Sequence, residues 1–262
     1  MKKIILFIVI VFIVVLYSTN AKAVPIEDNQ VGTKNNPWDI SASSNDDVKA
    51  WLSEDGTLTI YGTGNMKDWN TGNNSKWHNL TYISNIKKII IEEGITKIGD
   101  WAFFYCESVT EIRIPESINS IGNRAFENCN SLTQITIPNN VTSIGNSIFN
   151  GCKSLEKIKI QKGVTGINDK TFIGCSNLTE IEVDINNENY YSENGILFNR
   201  DKSNIICYPA KKEAAQHTIP IGVTRINDYA FTNCSNLTEV EIPNGLKSIG
   251  GYAFFDVAVW FK

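Results

Sequence analysis

The stretch IGNRAFENCNSLTQITIPNNVTS, Ile121 to Ser143, is one copy of a unit that returns along most of the chain. Its first residue recurs as Ile98, Ile121, Ile144 and Ile167, a step of 23 residues. Three further columns keep that step: Phe103, Phe126, Phe149 and Phe172; Cys106, Cys129, Cys152 and Cys175; Val109, Leu132, Leu155 and Leu178. Self-similarity at such a period marks a stacked array, because one copy has too little apolar surface to fold alone and buries it only against its neighbours. Within the copy, Leu132-x-x-Ile135-x-Ile137 alternates as a strand with one buried face does, and Pro138 ends its ladder bonding. Val141 and Ile144 are then expected to point inward from the return path. The reading is a β-rich leucine-rich-repeat solenoid, its short parallel strands about 4.8 Å apart. Ile112, Ile135, Ile158, Ile181 and Val240 are predicted on consecutive strands of a single core.

After Ile167 the equivalent residue is Ile226, one repeat plus 36 extra residues. That insertion, about 185–216, holds the turn signal Asn194-Gly195. Two short strands are predicted, Ile196 to Phe198 and Ile205 to Tyr208, around a polar tip at Arg200 to Ser203. His217-Thr218-Ile219-Pro220 re-enters the pattern. The last copy keeps Ala253-Phe254 but has Val257 at the Cys position and Trp260 at the Leu position. Whether Trp260 and Phe261 close that edge is left open.

The motif Ile-Gly-x-x-Ala-Phe-x-x-Cys-x-x-Leu-x-x-Ile-x-Ile-Pro, as in Ile121 to Pro138, resembles the BspA-like leucine-rich-repeat family. Departures are Ile148 and Thr171 at the Ala position, and Gln161 and Asp184 at the Pro position. Val48 to Trp77, with Trp51-Leu52, Asp55-Gly56, Gly62-Thr63-Gly64, Met66 and Trp69, looks like the β cap that precedes such arrays. The expected organisation is a signal peptide over 1–23, a cap region over 24–85 and the array over 86–262. The resemblance implies export and adhesion to host or matrix glycoproteins.

The N-terminus supports export on its own terms. Lys2 and Lys3 precede the apolar run Ile4 to Tyr17, and Ala21-Lys22-Ala23 offers a small-x-small cleavage site. That run is short of the roughly 20 residues a membrane span demands. Cleavage would remove Lys2, Lys3 and Lys22, so 24 basic residues become 21 against 28 acidic, a net charge of −7. Such a balance disfavours nucleic acid, which calls for basic patches. No Leu-Pro-x-Thr-Gly signal or terminal apolar span follows the repeats, so release or non-covalent retention is expected.

Chemistry-bearing residues are few. Cysteines at equivalent positions of stacked copies project in parallel, so Cys106, Cys129, Cys152, Cys175 and Cys234 are read as reduced core thiols. Cys207 falls outside those columns and is expected to be the most exposed. His78 and His217 offer no obvious Cys–His pair, no metal-ligand spacing occurs, and Gly62-Thr63-Gly64 lacks the rest of a phosphate loop. These glycines are instead read as a turn after the strand Thr57 to Tyr61. No catalytic residue, cofactor or metal is therefore assigned, and an enzyme hidden in Val24 to Asn85 ranks last.

What varies freely is the exposed side of the repeat strands. There Lys157 would lie beside Glu180, and Lys159 beside Glu182, either as a solvated charge ladder or as a recognition strip. The candidate ligand-binding residues are Arg113, Lys157, Lys159, Glu180, Glu182, Glu239 and Glu241. Tyr190 and Tyr191 are a second contact, unless they pack the insertion onto the array. The expected partner is an extracellular protein or glycoprotein. The alternative is a structural or accessory module of the cell envelope.

Overall fold

The computed structural model describes residues 32–71, 74–78 and 80–262. The expected signal peptide and the start of the expected cap region lie outside the described residues. The first described strands, β1 (Trp38–Asp39), β2 (Asp47–Leu52) and β3 (Thr57–Asn65), are antiparallel, followed by one helical turn, α1 (Leu80–Ile83). β3 is longer than the sequence suggests. It pairs with the front of the first repeat through Thr57–Ile60 and with the back through Gly64 and Asn65, between which the register shifts. At this corner Gly62 has φ of 106°, and a Cβ there would collide with the Asp47 carbonyl oxygen. The glycines thus bend a continuing strand rather than end it.

The first three repeats each contribute a front strand and a back strand, and the next two a front strand alone. In chain order they are β4 (Lys88–Ile91), β5 (Ile95–Ile98), β6 (Glu111–Arg113), β7 (Ser120–Ile121), β8 (Gln134–Ile137), β9 (Ser143–Ile144), β10 (Lys157–Ile160) and β11 (Glu180–Val183). The front ladder joins β3, β4 and β6, and then β8, β10 and β11, all parallel. No ladder joins β6 to β8. The back ladder runs β3, β5, β7, β9 and stops.

Glycines mark the steps of this back ladder. At Gly99, Gly122 and Gly145 a Cβ would run into backbone of the preceding coil. Gly122 N–H reaches the Ile98 carbonyl at 2.9 Å, and Gly145 N–H reaches that of Ile121 at 2.8 Å. The next residue in this column is Asn168, where the ladder has ended, whereas Asn227 in the second run again makes the bond, to the Ile205 carbonyl at 2.9 Å. The coil of Asn168 stays back, and Ile167 N–H donates instead to the Tyr190 hydroxyl at 2.7 Å.

The insertion is a three-stranded antiparallel meander: β12 (Tyr190–Glu193), β13 (Ile196–Asn199) and β14 (Asn204–Cys207). The sequence pattern gave the last two strands and not the first. After it come β15 (Gln216–Thr218), β16 (Arg225–Ile226), β17 (Glu239–Glu241), β18 (Ser248–Ile249) and β19 (Trp260–Phe261), in parallel front and back ladders. β14 itself heads the second back ladder, paired with β16. The latter half of the insertion is a disguised repeat. His217 lies opposite Val240, and Tyr208 N–H reaches the Ala230 carbonyl as Phe103 N–H reaches that of Ala125. His217 stands 23 before Val240, and Tyr208 stands 23 before Phe231, on which it stacks, so the 36 extra residues are one repeat and 13 others.

Two corrections follow. The expected single core is two clusters: Ile112, Ile135, Ile158 and Ile181 belong to the first, Val240 to the second. Between them lies the meander, whose alternating side chains serve both sides. Leu197 and Ile206 join the first cluster, whereas Ile196, Phe198 and Ile205 join the second. Cys207 is not exposed but buried in the first cluster beside Cys175, both lining one small void. At the far edge, Trp260 pairs with Glu239 rather than taking a Leu position, and is 81% exposed.

Aromatic rings stack along the axis. Trp77 of the cap region lies on Phe103 at 5.7 Å, Phe103 on Phe126 at 5.7 Å, and Phe126 on Phe149 at 5.8 Å. The stack widens to 6.4 Å at Phe172, where the back ladder has opened. It resumes with Tyr208, Phe231 and Phe254.

Candidate interaction face

A front strand buries alternate residues and turns the others to solvent. Ile135 and Ile158 fill the core while Gln134, Thr136, Lys157 and Lys159 face outward. The register Lys157↔Glu180 and Lys159↔Glu182 brings the opposite charges together at 2.9 and 3.2 Å. On β6, Glu111 takes both Arg113 Nε at 2.6 Å and Lys88 Nζ at 2.8 Å. The hydrogen bonds from Lys88 and Arg113 hold the Glu111 carboxyl below its ordinary range, and the bond to Glu180 raises Lys157. All these groups are solvent-accessible, so water and salt screen each pair and it adds little to stability.

Where β6 and β8 part, the front face opens into a groove of about 810 Å³. Arg113, Lys157, Lys159, Glu180 and Glu182 all line it, together with Gln134, Thr136 and Pro138. Glu239 and Glu241 do not. They lie beyond the meander, where Glu239 pairs with Lys262 at 2.8 Å and Glu241 accepts from the Thr218 hydroxyl at 2.9 Å. Sequence reasoning thus found one wall of the groove but not the ladder opening that makes it, since an interrupted ladder leaves no mark in a 23-residue pattern.

The two tyrosines separate. Tyr190 is nearly buried and its hydroxyl is occupied by Ile167 N–H, so it packs the meander onto the array rather than offering a contact. Tyr191 is half-buried, with the Lys202 ammonium 4.2 Å from its ring centre and itself paired to Glu193.

The thiols are all free and buried. Cys129, Cys152 and Cys175 donate to the carbonyls of Phe103, Phe126 and Phe149 at 3.4, 3.1 and 3.1 Å, tying each coil to the one before. Burial pushes Cys152 and Cys207 up to about 12, which makes them poor nucleophiles. His78 stacks on Phe104. His217 occupies a core position between Tyr208 and Phe231, where burial first and Lys212 second lower it to about 4. Among the described residues no group of three or more His, Cys, Asp or Glu side chains could hold a metal ion. No helix among them is long and apolar enough to cross a membrane.

The family model for the BspA type leucine-rich repeat region matches six copies, over residues 78–196 and 207–259. The chain belongs to the BspA-type leucine-rich-repeat family. Among solved structures, this BspA-type protein is similar to a leucine-rich repeat protein from Eubacterium ventriosum, with 29% identity and a TM-score of 0.64 over 85% of this chain and 71% of that one. It shares its fold with a leucine-rich cell surface protein from Faecalibacterium prausnitzii, at 24% identity and a TM-score of 0.54, over 82% and 74% of the two chains. It also shares it with the pneumococcal vaccine antigen PcpA, at 21% identity and a TM-score of 0.57, over 87% and 69%. No curated protein sequence matches this BspA-type chain.

Proposed function

We propose that this is an exported binding protein without catalytic activity, which holds an extracellular protein or glycoprotein, in adhesion, against the front face of its repeats. One observation carries the reading. The front groove is walled by columns that core packing leaves free to vary, and it opens where β6 and β8 part. Proteins described as surface proteins or antigens share the fold, which supports an extracellular setting. A second reading, a structural module of the cell envelope, draws on the internal pairing of Lys157 and Lys159, which leaves little net charge to attract a partner.

The test is binding of the mature chain, residues 24–262, to a panel of immobilised matrix and surface glycoproteins. A variant carrying Arg113→Ser, Lys157→Ser and Glu180→Ser goes alongside, with both partners of the Lys157 pair removed so that neither is stranded. The proposal expects at least one glycoprotein to bind the native chain and to lose tenfold or more in affinity with the variant. Absence of binding across the panel, or binding the variant leaves unchanged, contradicts it.

A further inference from the structure

Residues 208–219 form a strap that carries the chain from the meander into the second run. Among the described residues no ladder joins β11 to β15, so β15 is the outer strand of its front ladder, with β17 as its partner. Two bonds tie the strap to what precedes it. Lys211 N–H reaches the Leu178 carbonyl at 2.8 Å, and Lys212 Nζ reaches the Asn194 carbonyl at 2.5 Å. Packing at this joint is incomplete: Leu178, Tyr208 and Ala210 border the small void there, and the buried Tyr208 hydroxyl has no hydrogen-bond partner. In the middle of β15, the His217 ring lies 4.9 Å from Tyr208 and 6.0 Å from Phe231, opposite Val240. Its Nε2 is buried and likewise without a partner. A neutral ring tolerates that position, whereas an imidazolium carries N–H on both nitrogens and would bury one with no acceptor. The nearby carboxylates are turned elsewhere. Glu239 and Glu241 flank Val240 but go to Lys262 and to the Thr218 hydroxyl, and Glu213 is exposed. Beyond burial itself, the charge that acts on the ring is the Lys212 ammonium, which also opposes protonation. That ammonium is the tether to the meander.

We propose that the 208–219 strap is an acid-released latch: protonation of His217 frees β15 and its two ties from the joint, while the first run and its front groove stay folded. The new charge finds water only when the strap lifts, so proton and open form stabilise each other. The folded histidine titrates near 4 against an ordinary 6.5. Between those values the opening equilibrium gains up to about tenfold per pH unit, on the order of a hundredfold by pH 4.5. The first run has no counterpart, since residues 86–183 contain no histidine.

Hydrogen exchange on the intact chain from pH 7 to 4.5, with each rate divided by the intrinsic rate of that amide at that pH, reads the opening directly. Ile219 N–H donates to the Glu241 carbonyl and Thr238 N–H to that of Ala215, so both lose their partner when the strap lifts. Their protection should fall on the order of a hundredfold. Glu156 and Thr179 make the equivalent bonds in the first run, to the Thr133 and Glu156 carbonyls, and should change by less than about threefold. His217→Val restores the apolar residue of neighbouring coils and His217→Gln keeps a polar group that takes up no proton. Each should hold the strap's protection flat across the range, and the pair guards against one of them folding poorly. Flat protection in the native chain overturns the proposal, as does an equal fall in both runs or a fall that a folded His217 variant retains.

Discussion

The thiol of Cys129 reaches the Phe103 carbonyl oxygen at 3.4 Å, and that contact alters what a substitution there should do. Its spacing in sequence identifies it as a buried, unpaired core residue but says nothing of a hydrogen bond to the preceding coil. A serine hydroxyl can keep that bond, so Cys129→Ser should cost on the order of 1 kcal/mol in chemical denaturation, while Cys129→Val, which removes the donor and enlarges the side chain, should cost more. Cys207 shows the opposite limit of a column argument: it leaves the register in sequence yet is buried, because the meander folds back into the core. His217 is the clearest residue-scale consequence of the disguised repeat, since it fills a position held by Ile or Val in its neighbours. Its folded value near 4 lies below the ordinary 6.5, so the unfolded chain takes up the proton first as pH falls. Stability from this group is complete above about pH 6.5 and is lost on acidification toward 4, by about 3 kcal/mol in full. Thermal midpoints from pH 7 to 4 should fall less steeply for His217→Val than for the native chain; parallel slopes would remove His217 from the acid response.

At the scale of the element, the columns were legible because packing writes them, and the breaks were not, because each interrupts backbone pairing without disturbing the 23-residue pattern. At Gly99, Gly122 and Gly145 the preceding coil comes so close that a Cβ would meet its backbone. Gly145→Ala would set a Cβ against Asn123 backbone, and should destabilise by about 1–3 kcal/mol. Gly166→Ala, where nothing lies within 4 Å, should stay within about 0.5 kcal/mol. Denaturation of both variants checks the contrast, and equal costs would refute the close approach of the coils at Gly145. β12 escaped notice for a related reason: Tyr190 and Tyr191 read as surface aromatics, whereas one of them supplies the hydroxyl that satisfies the freed Ile167 N–H. The charge strip was legible as an alternation, and its pairing follows from register. Reversing Lys157 and Lys159 to Glu would set four carboxylates on two adjacent strands. That should destabilise on the order of 1 kcal/mol at low salt and recover as salt screens it, a larger effect than an isolated surface change.

Across the whole molecule, two runs of coils are joined by a meander that belongs to both cores, so the array is continuous in packing even where its ladders stop. The front groove lies entirely in the first run, and Glu239 and Glu241 in the second. The proposed recognition site therefore centres on β6, β8, β10 and β11 and not along the full length of the strip. Hydrogen exchange on the mature chain, free and saturated with a glycoprotein it binds, tests this most directly. The account predicts slowed exchange concentrated at residues 110–116, 134–138, 157–160 and 180–183, with β17 unchanged. Slowing confined to the back ladder, the meander or β17, with those four segments exchanging as in the free protein, would contradict it.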